Sequence, residues 1–531
     1  MEKLDKPKSK LSSASFSSKK SDHVEYSHKI TELNIRHEQL CKSITIDKLP
    51  DKVLLHAFAF LKHQELGKVA RVCKKWRMLA YDSRLWQVVS LRPEHSGLHI
   101  NSIETLLALI SVRFGSTLRY IELPCELVTA PILHELANKC PNLKFMTLDF
   151  SNAMQLHDFN DLTAFPCNLK YLCICLSEVI FLEGFMRRIY SCLSSLEVLH
   201  LIGTFEMSSE GEEDIYEVIN IGKIKSHTPN LRVVNMYGIT FIDDSHIELL
   251  TSNCIHLETL ALNFCLRVKG SSFKTLIQRC KKLKTLLLQH TGVEDQYMMN
   301  VPWEASQIHE LDLTSTELSS EGLENILLRI PFFTFLGLGY CEFFMDKTLS
   351  EMVMKGKFIK LMALDISYTN ALSENAIYNF LQSNGGNLQG LMLCGKPKLT
   401  ENFWLNVISF LKNIRVCVLG TADGWFLKLN TKVHIDQIIE DFAKNCPRLE
   451  RLEIQWDPDT IRYSEKSNKF VDHIRLRCPH LKSFTLSDGE YYEMVKSNFE
   501  RADRFKVVRT TTNYCTTIVS LLSCYKDLLF N

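Results

Sequence analysis

From Leu118 onward one arrangement of apolar and polar positions recurs along the chain: an apolar residue, two others, an apolar residue, one other, an apolar residue. It reads LRYIEL from 118, LKFMTL from 143, LKYLCI from 169, LEVLHL from 196, LRVVNM from 231, LETLAL from 257 and LKTLLL from 283. It continues as IHELDL from 308, FTFLGL from 333, LMALDI from 361, LQGLML from 388, IRVCVL from 414, LERLEI from 449 and LKSFTL from 481, fourteen copies whose starts lie 25 to 35 residues apart. The end of each copy alternates with period two, which predicts a short strand with one face turned inward. Between copies the apolar residues take helical spacing, as in Phe273, Leu276, Ile277 and Cys280. One strand and one helix cannot bury their own apolar sides, but a stack of such units can. The expectation is a solenoid with a continuous core and a parallel sheet. Strands stack more closely than helices, so the array should curve with the sheet on its inner wall.

The stretch CIHLETLALNFCLRVKGSSFKTL (Cys254 to Leu276) resembles the leucine-rich repeat family in its cysteine-containing form. Cys265 stands eight residues after Leu257, where that form places Asn or Cys, and Cys341 stands at the same offset from Phe333. Thr204, Thr291, Thr316 and Thr369 take the place elsewhere, while Lys396 and Ala422 depart from it. A Cys-x-x-Leu opening recurs as CPNL at 140, CIHL at 254, CKKL at 280, CPRL at 446 and CPHL at 478.

Ahead of the repeats, LPDKVLLHAFAFLKHQELGKVARVCKKWRMLAYDSRLW (Leu49 to Trp86) has a different pattern. Pro50 suits a helix first turn. Val53, Leu54, Ala57, Phe58, Phe60 and Leu61 cover more than half of one helix. Leu66, Val69, Ala70, Val72, Cys73 and Trp76 do the same on a second, and Leu79, Leu85 and Trp86 suggest a third. Small helices apolar on two sides need two neighbours: one side packs within the trio, and the other calls for a partner. The segment resembles the F-box, whose pattern is matched by Leu49-Pro50, Leu54-Leu55, Phe58, Leu61, Val72-Cys73, Trp76 and Leu85-Trp86. Lys52 and Ala59 depart from it, where Glu and Ser are common. The resemblance implies docking on a Skp-type adaptor, and through it on a cullin scaffold, by Leu49, Pro50, Val53, Leu54, Phe58, Leu61, Val72, Cys73, Trp76, Leu85 and Trp86. The segment VVSL after Trp86 is a candidate for a first, irregular repeat.

Composition narrows the function classes. Lys and Arg number 62 against 61 Asp and Glu, so no global field favours nucleic acid or an anionic membrane. No apolar run is long enough to cross a bilayer. The Lys- and Ser-rich start has no apolar segment of the kind a secretory signal needs. The 18 cysteines include no Cys-x-x-Cys pair, which argues for reduced, mostly buried thiols in the cytoplasm or nucleus. No phosphate-binding loop, zinc-binding His-Glu-x-x-His or nucleophilic Gly-x-Ser-x-Gly occurs. Neither a catalytic residue nor a cofactor or metal site is expected.

The expected architecture is therefore α/β: a leucine-rich-repeat solenoid, with a curved parallel sheet and outer helices, preceded by a small three-helix F-box. Residues 1–43 read as a disordered tail, 44–90 as the F-box, 91–486 as repeats and 487–531 as a C-terminal cap. An F-box joined to such repeats resembles the non-catalytic substrate receptors of Skp–cullin–F-box ubiquitin ligases, with a protein target on the concave wall. The alternatives are an adaptor-binding scaffold without ligase output and an enzyme regulator that uses only its concave wall. Candidate target-binding residues on that wall are Glu310, Asp312, Asp365, Arg451 and Glu453, whose acidic bias suggests a basic target segment, together with Trp425. Trp425 falls in GTADGWFLKLN (420 to 430), one of three long insertions with EMSSEGEEDIYE (206 to 217) and QWDPDTIRYSEKSNK (455 to 469).

Overall fold

In the computed structural model, the described residues are 46–92, 98–100, 102–152, 159–176, 183–203, 219–396, 399–420, 432–500, 506–509 and 521–522. The expected disordered tail, the acidic insertion at 206–217 and Trp425 lie outside them. The chain divides into two compact units, with the boundary between Leu85 and Trp86.

The first unit contains α1 (Asp51–Phe58), α2 (His63–Val69) and α3 (Lys74–Ala80), with a single turn on either side. Pro50 stands immediately before α1 with an extended backbone, and its carbonyl accepts from the Val53 and Leu54 amides. Proline has no N–H to lose at this point, and its fixed φ prepares the turn. Cys73 caps α3 by accepting from the Trp76 amide at 3.4 Å. Lys75 bridges the chain start to α3, donating to the Leu49 carbonyl at 3.1 Å and pairing with Asp51 at 3.2 Å.

The second unit carries, in chain order, β1 (Val88–Ser90), β2 (Tyr120–Pro124), β3 (Phe145–Asp149), β4 (Tyr171–Cys175), β5 (Val198–Ile202), β6 (Val233–Tyr237), β7 (Thr259–Ala261), β8 (Thr285–Leu287) and β9 (Glu310–Asp312). There follow β10 (Phe335–Gly337), β11 (Ala363–Asp365), β12 (Gly390–Cys394), β13 (Val416–Gly420), β14 (Val433–His434), β15 (Arg451–Ile454), β16 (Ile461–Arg462), β17 (Ser483–Leu486) and β18 (Lys506–Arg509). All but β14 and β16 form one sixteen-stranded sheet in chain order, and every pair in it is parallel. Each of the fourteen sequence copies yields one strand, beginning two residues after its first apolar position.

The register follows from burial. The middle apolar residue of each copy pairs with its counterpart in the next: Leu260 with Leu286, then Leu311, Leu336, Leu364, Leu391, Cys417, Leu452 and Phe484. All nine are buried. A one-residue slip would turn this whole column outward, so the leucines fix the alignment. VVSL after Trp86 supplies β1, which pairs with β2. Of the segment from Tyr491, whose sequence leaves the repeat pattern, residues 491–499 lie on the helix Glu490–Phe499, and β18 extends the sheet beside β17. The insertion at 455–469 is not a plain loop. It contributes β16, which pairs with β14, and it buries Trp456 edge-on to Trp404.

The cysteines form ladders. Cys265 donates to the Met236 carbonyl of the preceding repeat at 3.0 Å, and Cys341 to that of Leu313 at 3.1 Å. Where threonine takes the position, its hydroxyl turns to its own repeat: Thr291 to Leu288, Thr316 to Leu313 and Thr369 to Ile366, at 2.7 to 2.8 Å. Lys396 reaches back to the Thr369 carbonyl and hydroxyl. The opening cysteines make a second ladder, Cys254 to Thr228, Cys280 to Cys254 and Cys478 to Cys446. A buried turn leaves carbonyls to satisfy, and a small donor does so without breaking the core.

Candidate functional site: a docking module and a concave wall

The structure divides the eleven candidate docking residues by environment. Leu54 and Phe58 are buried inside the trio with Leu66, Ala70, Leu79 and Ala80, while Leu49, Leu61, Trp76 and Leu85 pack half-buried against that cluster. Phe58 meets Trp76 edge-on, with ring centroids 5.5 Å apart. The indole N–H of Trp76 is buried without a hydrogen-bond partner. Pro50 and Cys73 are exposed. Val53 is 48% exposed and Val72 62%, and two apolar residues outside the expected set are equally open, Phe60 at 77% and Met78 at 66%. Met78 lies on α3 and Phe60 in the turn after α1, and both fall outside the family pattern.

Trp86, expected on the adaptor-facing side, belongs instead to the second unit. It is buried there and stacks on Phe114 with 11° between the rings. The large indole is better satisfied by the repeat core than by a helical unit of this size. His63, on α2, hydrogen-bonds the Leu85 carbonyl, and burial lowers its pKa against the opposing pull of that bond.

The second candidate is the sheet face turned away from the helices. Glu310, Asp312, Asp365, Arg451 and Glu453 all stand beside an inward apolar residue of their strand, so the sheet gathers them on this face. They are not a solvated acidic wall. Glu310, Asp312 and Glu453 are buried. Thr285 donates its hydroxyl to Glu310. The Asp312 carboxylate accepts from the Thr314 amide at 2.9 Å, and that of Asp365 from the Ser367 amide at 2.9 Å. Gln455 donates to Glu453 at 2.8 Å. Glycine in β10 makes room for the acids: a Cβ on Gly337 would sit 2.4 Å from an Asp312 oxygen. Burial raises the Asp312 pKa, and raises that of Asp365 to about 6, with the Asp312 charge adding to it. Lys396 is pushed down to about 7, chiefly by burial. Such carboxylates are poorly set to attract a basic segment, because the environment disfavours their charge.

A left-handed backbone turn recurs beside this face. Phe264, His290, Ser315, Tyr340 and Tyr368 each stand seven residues after the start of a copy, and each has φ between 52° and 63°. Their amides donate to the next repeat, Phe264 to Gln289, His290 to Thr314 and Tyr340 to Ser367, at 2.8 Å. Their rings meet along the sheet edge: Phe264 and His290 at 5.3 Å, Tyr340 and Tyr368 stacked at 4.3 Å. The repeated offset was visible; the left-handed turn that produces the stacking was not. Among the described residues no group of His, Cys, Asp and Glu could hold a metal ion, and no helix is long and apolar enough to cross a membrane.

Residues 46–92 match the F-box-like family. Curated relatives include F-box/LRR-repeat protein 12 of Bos taurus, 25% identical over 285 residues, covering 52% of this chain and 74% of the relative. The Homo sapiens counterpart is 24% identical over the same share of each chain. BTB/POZ domain-containing protein FBL11 of Arabidopsis thaliana is 22% identical over 245 residues, 46% of this chain and 22% of that one. Among solved structures, the yeast Rad7 and Elc1 complex includes a chain that matches with a TM-score of 0.43 at 15% identity, over 85% of this chain and 96% of that one. An internalin (inlF) of Listeria monocytogenes matches with a TM-score of 0.31 at 11% identity, over 66% and 77% of the respective chains. An F-box-like segment followed by a solenoid of parallel strands and helices is the arrangement of F-box/leucine-rich-repeat proteins, and it is to these that the chain is similar.

Proposed function

We propose that the chain is the substrate-recognition subunit of a Skp–cullin–F-box ubiquitin ligase. In this reading the helical unit docks on a Skp-type adaptor and thereby on a cullin, and the repeats hold a protein target. The observation that carries it is the helical unit's exposed apolar surface at Val53, Phe60, Val72 and Met78, on the segment that matches the F-box-like family. Apolar side chains this open on so small a unit mark an interaction site. The interior residues Leu54 and Phe58 shape the unit, and the half-buried Leu49, Leu61, Trp76 and Leu85 border its surface. The chain then works by position. Holding a target lysine near a ubiquitin thioester raises its effective concentration and needs no catalytic residue here. A cytoplasmic or nuclear location suits that role.

Affinity purification of the full chain from cells tests this. Adaptor and cullin should co-purify with the wild type and be lost together from Val53→Asp/Val72→Asp, with the melting temperature unchanged. Adaptor without cullin would favour a scaffold lacking ligase output. Equal recovery of the adaptor with the double variant would refute the docking surface.

A further inference from the structure

Leu521 and Leu522 are buried far from where the sheet ends. They belong to one apolar cluster with Ala261, Leu287, Phe335, Ala363, Met392 and Val418, and with Cys394 at the end of β12. Those six residues all flank the inward apolar column of their strands, on β7, β8, β10, β11, β12 and β13, so they form the floor of the concave face. The last strand, β18, ends at Arg509, at the far edge of the sheet beside β17. The chain has thus returned to the middle of the array, and two adjacent leucines sit on a floor that the solenoid core does not need, since the inward column already fills that core. Every member of the cluster is buried. Four carboxylates stand in register with floor residues, Glu310 beside Phe335, Asp312 beside Leu287, Asp365 beside Met392 and Glu453 beside Val418. Each accepts from a neighbouring group, the Thr285 hydroxyl, the Thr314 amide, the Ser367 amide and the Gln455 side chain respectively, and Asp312 and Asp365 lean over Gly337 and Gly339. What this face offers a ligand is therefore an apolar strip bordered by carboxylates whose hydrogen bonds are already made.

We propose that this strip is the target-binding surface, that it recognises a pair of adjacent aliphatic side chains, and that Leu521–Leu522 occupy it as a built-in competitor which a target must displace. This rests on the reading of the repeats as a target-binding wall, and it replaces a basic target segment with an apolar one. A target of this kind binds by burying the same area that Leu521 and Leu522 now bury, so affinity for it is reduced by the free energy of releasing these two side chains.

Cys394 provides the readout. It is a free thiol, fully buried in the cluster, and burial holds its pKa well above the usual thiol range. In the full chain carrying Leu521→Asp/Leu522→Asp, iodoacetamide should alkylate Cys394 faster by about tenfold or more, as expected for a locally opened site. Cys265 and Cys341, which belong to the turn ladder, should stay protected. A synthetic peptide of residues 516–527 should slow alkylation of Cys394 in the variant, and the same peptide with both leucines changed to Asp should not. If the aspartates also open Cys265 and Cys341, Leu521→Ser/Leu522→Ser gives the same reading in a milder form. Unchanged labelling of Cys394 in a folded variant, or no protection by the wild-type peptide, overturns the proposal. Recovery of the adaptor with these variants is independent of either result and separates failure of this proposal from failure of the ligase reading.

Discussion

The helical unit and the repeat unit solve burial in opposite ways. In the repeats each apolar column is closed by the next copy, and the column from Leu260 to Phe484 is sealed from water. In the helical unit the interior is small, four of its expected anchors remain half-buried, and Val53, Phe60, Val72 and Met78 face outward. Repetition lets a chain complete its own core, because every unit brings the neighbour that the previous one lacked. Three short helices have no such supply, and their surplus apolar surface stays open. The same contrast recurs inside the repeats, where the core column is finished by the solenoid but the apolar cluster on the other sheet face includes Leu521 and Leu522.

The comparison can be broken most sharply in the repeat core. Phe380 is buried against Phe358, edge-on at 5.0 Å. Phe380→Ala should cost about 3–5 kcal/mol in denaturant unfolding, as large-to-small changes in sealed cores do. An effect under about 1 kcal/mol would mean that the repeats are as loosely packed as the helices.

A second test uses pH. His200 on β5 is buried, and Asn235 donates to its Nδ1 at 3.2 Å, since the other amide atom of Asn235 accepts from the Tyr237 amide. Burial lowers its pKa to about 4. The unfolded imidazole, near 6.5, then binds a proton before the folded one does, so stability is lost as pH falls from about 6.5 to 4. The total is about 3 kcal/mol from this residue. His200→Gln should flatten that part of the stability profile, measured as wild type minus variant by chemical denaturation.

Asp365 gives the opposite sign. Its raised pKa, about 6, favours the protonated form in the folded state, so its contribution is lost as pH rises through 6. Asp365→Asn should stabilise the repeats at pH 7.5 by about 1–3 kcal/mol, a gain that disappears below about pH 4. No gain at pH 7.5 would show that the carboxylate is solvated after all.

The smallest effect is expected in the helical unit. Trp76→Phe keeps a ring against Phe58 and removes an indole N–H that has no acceptor. The two changes oppose one another, and the net shift in stability should stay within about 1 kcal/mol. A larger loss would place Trp76 among the sealed core residues and erase the difference between the units.

Much of this molecule is legible in its sequence. The spacing of LETLAL, LKTLLL and their relatives determined the strands, their order and their register, because the period-two pattern allows only one face to be buried. The F-box-like segment was legible through Leu49-Pro50 and Trp76, and the burial of Cys265 and Cys341 was expected with that of most thiols, whereas their donation to carbonyls of the preceding repeat was not. Tertiary structure alone decided which apolar residues of the helical unit lie inside. On helices this short, Val53 and Leu54 are neighbours of equal hydrophobicity, and only the third helix tells them apart. It also decided that Trp86 belongs to the repeats, that the acids Glu310 and Asp312 are bonded to Thr285 and the Thr314 amide, and that Leu521 and Leu522 pack on the sheet face turned away from the helices. Local pattern encodes which residues want burial. It does not encode what covers them when the partner comes from a distant part of the chain, because that contact is fixed by the path of the folded backbone and not by spacing.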